Sequence, residues 1–287
     1  MSSIYIAAGL GVFVAVGLSL LFHVKTTLRF ERATAPLPKA NDMPAERWSK
    51  LAEAKIFFGH QSVGYNIVNG IEDVIRNGNP MKLNVVETSS PRDFAGPVFA
   101  HSPVGKNRQP TSKIEQFAEI MNSGVGEKVD VAILKFCYID VTNDSNPREI
   151  FDEYKSAISD MERSYPRVKF LHLTAPLKSP PKGAKKTIKG FVKWLLRRPT
   201  EIDDNLRREQ YNKFIREEYG KTDCLFDLAL VESVGPDGLS CYVSRNGRRI
   251  PFMAPQYTDD GGHLNELGRR ITAEQMLITL SQCTMSE

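Results

Sequence analysis

Apolar residues follow two different patterns along the chain. Short apolar runs predict buried strands, and apolar positions that recur every three or four residues predict amphipathic helices. The strands predicted in this way cover 55–58, 82–88, 129–136, 169–174 and 224–228. The helices between them cover 44–54, 63–77, 112–123, 148–165, 205–219 and 264–281.

The alternation of strands with helices predicts the fold class. Five such alternations are typical of a parallel sheet covered by helices on both faces. We therefore expect an α/β domain, a three-layer α/β/α sandwich with a five-stranded parallel sheet. Residues 89–111, rich in glycine, proline and serine, are predicted as a loop, and 239–254 as a β-hairpin around Asn246-Gly247. Ligands of such sheets bind beyond the carboxyl ends of the strands.

The first residues contain the longest apolar stretch. Residues 4–24 carry no formal charge apart from His23 when protonated, and 21 residues suffice to cross a hydrocarbon core of about 30 Å. No Lys or Arg precedes the stretch, and the small-residue site at 33–35 lies far behind it. We therefore expect an uncleaved, single-pass transmembrane helix rather than a signal peptide.

The chain is predicted to divide into three parts. An anchor with its flank covers 1–32, a proline-containing linker with a lead-in helix covers 33–54, and the α/β domain covers 55–283. Basic residues follow the apolar stretch, which favours a cytoplasmic domain by the positive-inside rule. Residues 59–64 and 260–265 carry candidate chemistry that is more usual outside the cytoplasm, and we therefore predict a domain on the non-cytoplasmic side.

Charge is distributed unevenly. The 287 residues have a net charge of +4, but 179–199 carries seven cations and no acid, so the remainder is at −3. A mildly acidic body argues against nucleic-acid binding by the main fold. The basic segment interleaves its cations with apolar residues. A helix at 182–198 is predicted either to lie on an anionic membrane surface, or to be a solvated helix or lid over the ligand-binding edge of the sheet with its apolar side packed inward. Four cysteines without CxxC spacing argue against a zinc ribbon or a dense disulfide framework.

Two segments carry candidate chemistry. Residues 59–64 read Gly-His-Gln-Ser-Val-Gly at a strand-to-helix turn, and residues 260–265 read Asp-Gly-Gly-His-Leu-Asn before the last helix. A serine hydroxyl becomes nucleophilic when an imidazole accepts its proton, and a carboxylate orients that imidazole. Ser62, His263 and Asp260 supply these three groups. The simpler alternatives are a helix-capping role for Ser62 and a plain turn at Asp260.

In their order and contexts these segments resemble the SGNH/GDSL hydrolases, over roughly residues 55–281. The resemblance implies a flavodoxin-like fold with Ser62 as nucleophile, Asp260 as orienting acid and His263 as base. Residues 260–268 are a close match to the family's last block, whereas the first block is one residue longer than the GDS turn, with His60 and Gln61 in place of the acid.

The resemblance also implies a glycine and an asparagine that bind the oxyanion. Gly105 is the candidate glycine. The block after the third strand, Cys137–Asp140, has no asparagine, so Asn107 and Asn143 are both candidates. His60 is a candidate for contact at the substrate edge, with a packed histidine as the alternative.

The sequence therefore predicts a serine esterase acting on a carboxylic ester, such as an O-acetylated glycan or an acyl lipid, without a metal or an organic cofactor. An acyltransferase would use the same chemistry with another acceptor. Two other classes stay open: a non-catalytic SGNH-like protein that binds a glycan or lipid, and an interaction protein that works through its anchor and basic helix.

Overall fold

The computed structural model describes residues 28–33, 36–76, 82–180 and 200–285. The predicted transmembrane helix at 4–24 and nearly all of the basic segment 179–199 lie outside these residues. In the part of the chain that is described, no helix is long and apolar enough to span a bilayer.

The described residues form nine strands and seven α-helices. The strands are β1 (Leu28–Arg32), β2 (Lys55–His60), β3 (Val85–Glu87), β4 (Val98–Pro103), β5 (Val131–Leu134), β6 (Lys169–Leu173), β7 (Leu225–Phe226), β8 (Leu239–Arg245) and β9 (Arg248–Pro251). The helices are α1 (Ala45–Glu53), α2 (Val63–Arg76), α3 (Pro110–Ile120), α4 (Pro147–Ser164), α5 (Glu201–Tyr219), α6 (Leu228–Ser233) and α7 (Glu266–Met285).

The central sheet has six parallel strands rather than the predicted five, in the order β3-β4-β2-β5-β6-β7. The additional strand, β4, lies inside the segment predicted as a loop. Prolines and glycine flank it, so its buried run Val98-Phe99-Ala100 is too short to stand out in the sequence. It becomes a strand because it pairs with β2 from Val98 to Pro103 and with β3 on its other side.

Both faces of this sheet are covered by helices, which makes the expected three layers. Along β2, Ile56 and Phe58 belong to one core cluster and Phe57 belongs to the other, as the two-residue repeat of a strand requires. Helices α1, α2, α6 and α7 cover the first face, and α3, α4 and α5 cover the second. Burial on both faces explains why the strands read as nearly continuous apolar runs.

A second sheet is antiparallel and has the order β1-β8-β9. Strands β8 and β9 meet at the turn Asn246-Gly247. Strand β1 pairs with β8 from Leu28↔Val243 to Arg32↔Leu239. Residues 28–32, predicted as the flank of an anchor, are thus part of the folded domain, and Leu28 packs against the small core that includes Ile250.

One disulfide joins Cys224 to Cys283, with the Cα atoms 4.7 Å apart. It ties the residue before β7 to the last turns of α7. Cys137 and Cys241 are free and buried. The spacing of the cysteines did not predict this pair, because 59 positions separate the two residues.

Candidate active site

A serine lies in the tight turn between β2 and α2. Ser62 has φ +54°, a left-handed conformation that is unusual for a residue other than glycine. The turn is closed by hydrogen bonds from Gly64 N–H to the Gln61 carbonyl at 3.0 Å and from Tyr65 N–H to the Ser62 carbonyl at 2.9 Å. Strained backbone of this kind costs about 1–3 kcal/mol and clusters at functional sites. A serine on a sharp strand-to-helix turn is well placed to act as a nucleophile.

The carboxylate and the imidazole come from the turn that precedes α7. Asp260 Oδ1 accepts two backbone hydrogen bonds, from the Gly262 N–H and the His263 N–H, each 2.8 Å long. Gly261, with φ +89°, supplies the left-handed conformation that the turn requires. Because Oδ1 binds the two N–H groups, Oδ2 faces the imidazole and lies 2.7 Å from His263 Nδ1.

The fold brings these two turns together at the carboxyl edge of the sheet. Ser62 Oγ lies 2.8 Å from His263 Nε2, although the two residues are 201 positions apart. The Leu264 N–H donates to Asn66 Oδ1 at 3.2 Å, which ties the turn to α2. The three side chains therefore form a continuous path for a proton from the serine hydroxyl to an imidazole held by a carboxylate.

The electrostatics of the turn keep the carboxylate charged. Burial by itself raises the pKa of Asp260, but the backbone and imidazole hydrogen bonds from His263 and the Gly262 N–H outweigh it and hold the pKa well below its usual value. Hydrogen bonds to a charged form always favour that form. A carboxylate that stays ionised can orient His263 and stabilise the imidazolium that forms during proton transfer.

The predicted oxyanion-binding residues have other contacts. The Gly105 N–H donates to Gln116 Oε1 at 2.6 Å, so this donor is engaged. Asn107 Oδ1 accepts a hydrogen bond from the buried Lys113 at 3.1 Å. The Asn143 N–H donates to Asp204 at the start of α5 at 2.8 Å.

Tyr138 is a neighbour of the site for which the sequence suggested no role. Its ring centroid is 5.9 Å from that of His263, in an edge-on arrangement, and its hydroxyl packs close to the backbone of Gly262. Lys178 and Arg208 lie near the same ring, at 5.6 and 5.7 Å from its centroid. Burial and then the Asp260 carboxylate raise the pKa of Tyr138. The tyrosine thus forms one wall beside the imidazole.

His60, a candidate for the substrate edge, is instead fully buried. It is the last residue of β2, where it packs against Phe58 and Tyr65, and its Nε2 lies 3.1 Å from His101 Nδ1. Burial, followed by the nearby Lys135, lowers the pKa of His60 to about 2, so the ring is neutral. The histidine is packed inside because it lies on the same face of β2 as Ile56 and Phe58, and helix α2 covers that face.

No group of three His, Cys, Asp or Glu side chains among the described residues is placed to hold a metal ion.

Comparison with known proteins gives structural similarity alone. No protein-family model and no curated protein matches the chain. A Streptococcus pneumoniae protein provisionally named a platelet activating factor is 13% identical, with TM-score 0.46, over 82% of this chain and 91% of that chain.

Two further solved structures are similar in the same way. A Slackia heliotrinireducens protein provisionally named an SGNH hydrolase is 11% identical, with TM-score 0.44, over 78% and 96% of the two chains. A Desulfitobacterium hafniense protein provisionally named a lipolytic protein of the G-D-S-L family is 11% identical, with TM-score 0.40, over 78% of this chain and 97% of that chain. What this chain can do chemically is therefore decided by its own residues, Ser62, His263 and Asp260.

Proposed function

We propose that the chain is a serine esterase of SGNH type, which transfers an acyl group from a carboxylic ester to water. One observation carries the proposal: the path of contacts from Ser62 Oγ to His263 Nε2 at 2.8 Å and from His263 Nδ1 to Asp260 Oδ2 at 2.7 Å. A serine, an imidazole and a carboxylate in this order are what nucleophilic acyl transfer requires. The strained backbone of Ser62 adds independent support, because left-handed residues other than glycine cluster at functional sites.

The first half of the reaction forms an acyl-enzyme. Ser62 Oγ attacks the ester carbonyl carbon while His263 Nε2 takes the hydroxyl proton. The carbonyl oxygen becomes an oxyanion in the tetrahedral intermediate, and backbone N–H groups near the serine stabilise it. His263 then gives its proton to the leaving alcohol as the C–O bond breaks, and Asp260 stabilises the imidazolium between these two steps.

The second half releases the acyl group. A water molecule takes the place of the alcohol, His263 accepts its proton, and the attack regenerates free Ser62 with release of the carboxylic acid. If another alcohol takes the place of water, the same groups catalyse acyl transfer to that acceptor.

An open site supports a large substrate. The side chains of His263 and Asp260 are 45% and 57% exposed, so the reacting serine is not enclosed in a deep cavity. Acyl groups carried on extended molecules fit such a site, and we propose an O-acetylated glycan or an acyl lipid as the substrate class. The proposed anchor at 4–24 would hold the enzyme beside substrates of either kind.

We also propose that the domain works on the non-cytoplasmic side of the membrane. The disulfide between Cys224 and Cys283 supports this location, because disulfides persist in oxidising compartments and are rare in the cytosol. Protease protection of the chain in sealed membrane vesicles measures the side directly. Digestion from the cytoplasmic face alone would contradict the proposal.

The experiment that tests the proposed function is hydrolysis of a short-chain activated ester by the full chain in detergent. We expect activity that is lost in Ser62→Ala and His263→Ala and retained in Ser123→Ala, a control at an exposed serine whose Oγ bonds the Ile120 carbonyl. Activity unchanged by the first two substitutions would refute the assignment.

A non-catalytic binding protein of the same fold is the second candidate. The engaged Gly105 N–H and the lack of asparagine in Cys137–Asp140 favour it, since both reduce the donors for an oxyanion. Folded wild-type protein without activity that binds glycans or lipids would support this candidate.

A further inference from the structure

The peptide group between Gln61 and Ser62 is held through its carbonyl oxygen. That oxygen accepts hydrogen bonds from the Gly64 N–H at 3.0 Å, from Lys135 Nζ at 3.2 Å and from the Cys137 thiol at 3.4 Å. The described residues contain no cis peptide bond, and in a trans peptide the N–H points away from the C=O. The Ser62 N–H is therefore directed away from these buried groups, and within the described residues no hydrogen bond occupies it.

Lys135 is an unusual residue to find behind the nucleophile. It follows β5 directly and is fully buried, and besides that carbonyl its Nζ donates to the Phe136 carbonyl at 3.0 Å and to Cys137 Sγ at 3.7 Å. It contacts no carboxylate among the described residues, whereas the buried Lys113 pairs with Asp140. Burial lowers the pKa of Lys135, as desolvation does for any amine. An amine without a carboxylate partner costs free energy to bury, and an apolar side chain of the same length would avoid this desolvation cost.

An esterase needs donors fixed in place before the oxyanion forms. The Gly105 N–H is engaged by Gln116, whereas the Ser62 N–H is an unoccupied backbone donor on the nucleophile itself, among the described residues. Resting on the proposed function, we infer that Lys135 is a positioning residue for the oxyanion: it holds the Gln61 carbonyl in the interior and so aims the Ser62 N–H at the developing charge.

Two physical effects follow from the contact between Lys135 and the Gln61 carbonyl. The hydrogen bond fixes the plane of the peptide, so the N–H does not have to reorient during the reaction. It also draws electron density toward the carbonyl oxygen, which makes the N–H of the same peptide a stronger donor, because hydrogen bonds in a chain polarise one another. Both effects act on the intermediate more than on the bound ester, and such interactions change kcat rather than KM.

The test compares Lys135→Met with His172→Phe in the full chain in detergent. Methionine keeps the length of the side chain and removes its donors. Loss of one oxyanion donor lowers kcat by about 10²–10³, and we expect Lys135→Met, which misdirects such a donor, to lower kcat by about 10–10² with KM nearly unchanged. Its affinity for a boronic acid that forms a tetrahedral adduct on Ser62 should fall by the same factor.

The control separates positioning from general packing. His172 is also a buried polar residue but contacts Tyr154 and Tyr219 rather than the Gln61 carbonyl, so His172→Phe should lower the melting temperature with little change in kcat. Equal losses of kcat in both variants, or normal kcat in Lys135→Met, would overturn the inference about Lys135. The proposed function would still stand in that case if the wild type were active and Ser62→Ala inactive. Wild type that neither hydrolyses esters nor binds the boronic acid would overturn both.

A measurement on the wild type covers the case in which Lys135→Met does not fold. In a ¹⁵N–¹H NMR spectrum, formation of the boronic acid adduct should move the Ser62 amide proton strongly downfield, because this N–H then donates to a negatively charged oxygen. An unshifted Ser62 amide would contradict the inference.

Discussion

Replacing Asp260 by asparagine should harm activity more than replacing it by alanine. Asp260 Oδ1 accepts two backbone N–H groups at 2.8 Å, and Oδ2 faces His263 Nδ1 at 2.7 Å. In Asp260→Asn the amide oxygen must stay on the two N–H groups, so the NH₂ group faces the imidazole. Nδ1 then has to accept a hydrogen bond, and the ring proton moves to Nε2, where it prevents the imidazole from taking the serine proton.

The magnitude follows from the same contacts. Turning the amide over would break the two backbone hydrogen bonds, worth about 1 kcal/mol each, so the wrong tautomer is favoured by about 2 kcal/mol, or roughly 30-fold. The variant also loses the charge that stabilises the imidazolium. The corresponding substitution in a well-studied serine protease lowers kcat by about 10⁴. Because the Asp260 side chain is 57% exposed and water screens its charge, we expect a fall of about 10³.

Alanine removes the charge without fixing the tautomer, since His263 Nδ1 can then donate to water. We therefore expect Asp260→Ala to lower kcat by about 10², which leaves it about tenfold more active than Asp260→Asn. Steady-state hydrolysis of an activated ester measures both variants, and Asp259→Asn, at the adjacent carboxylate, is the matched control. An asparagine variant as active as the alanine variant, or more active, would refute the reasoning.

Three other predictions concern the scaffold. Gly64→Ala should lower the free energy of unfolding by about 1–3 kcal/mol and reduce activity, because a Cβ there would lie 2.4 Å from the buried His60 ring. Denaturant titration measures the change in the free energy of unfolding. Loss of the Cys224–Cys283 disulfide, which closes a separation of 59 residues, should cost about 4 kcal/mol, seen as a lower melting temperature under reductant. Burial raises the pKa of Glu232 from 4.5 to about 8, so the folded state favours the protonated carboxyl group. The contribution of this group to the free energy of unfolding is therefore lost as pH rises from 4.5 through about 8. The melting temperature of Glu232→Gln should fall less than that of the wild type as pH rises across this window.

Each of these predictions has a result that contradicts it. Gly96→Ala is the control for the glycine, because a Cβ there meets no atom within 4 Å, and equal loss of stability in both variants would remove the explanation. A melting temperature insensitive to reductant would contradict the disulfide prediction. An identical pH dependence in wild type and Glu232→Gln would show that another group controls it.

Local patterns were enough to predict the main elements of the site. The strand before Ser62 and the helix after it are encoded by neighbouring residues, and the glycines around Asp260 mark a turn. The parallel sheet follows from the alternation of elements, and the position of the site follows from the sheet. The contact between Ser62 and His263 could be expected for this reason, although the two residues are far apart in the chain.

Other features depend on contacts that no local pattern records. Strand β4 exists because β2 and β3 flank it, and the disulfide exists because the fold brings β7 to the end of α7. The role proposed for Lys135 depends on a carbonyl 74 positions away. One signal was present in the sequence: a lysine at the end of the buried run Val131–Leu134 is an unusual residue for the interior.

The most direct test of the central claim is labelling of the full chain with a fluorophosphonate, which reacts with serines activated by a neighbouring base. We predict a single adduct, located by mass spectrometry on the peptide that contains Ser62, and a strongly reduced labelling rate in His263→Ala. Labelling at another serine, or an equal rate in His263→Ala, would contradict the claim that His263 activates Ser62.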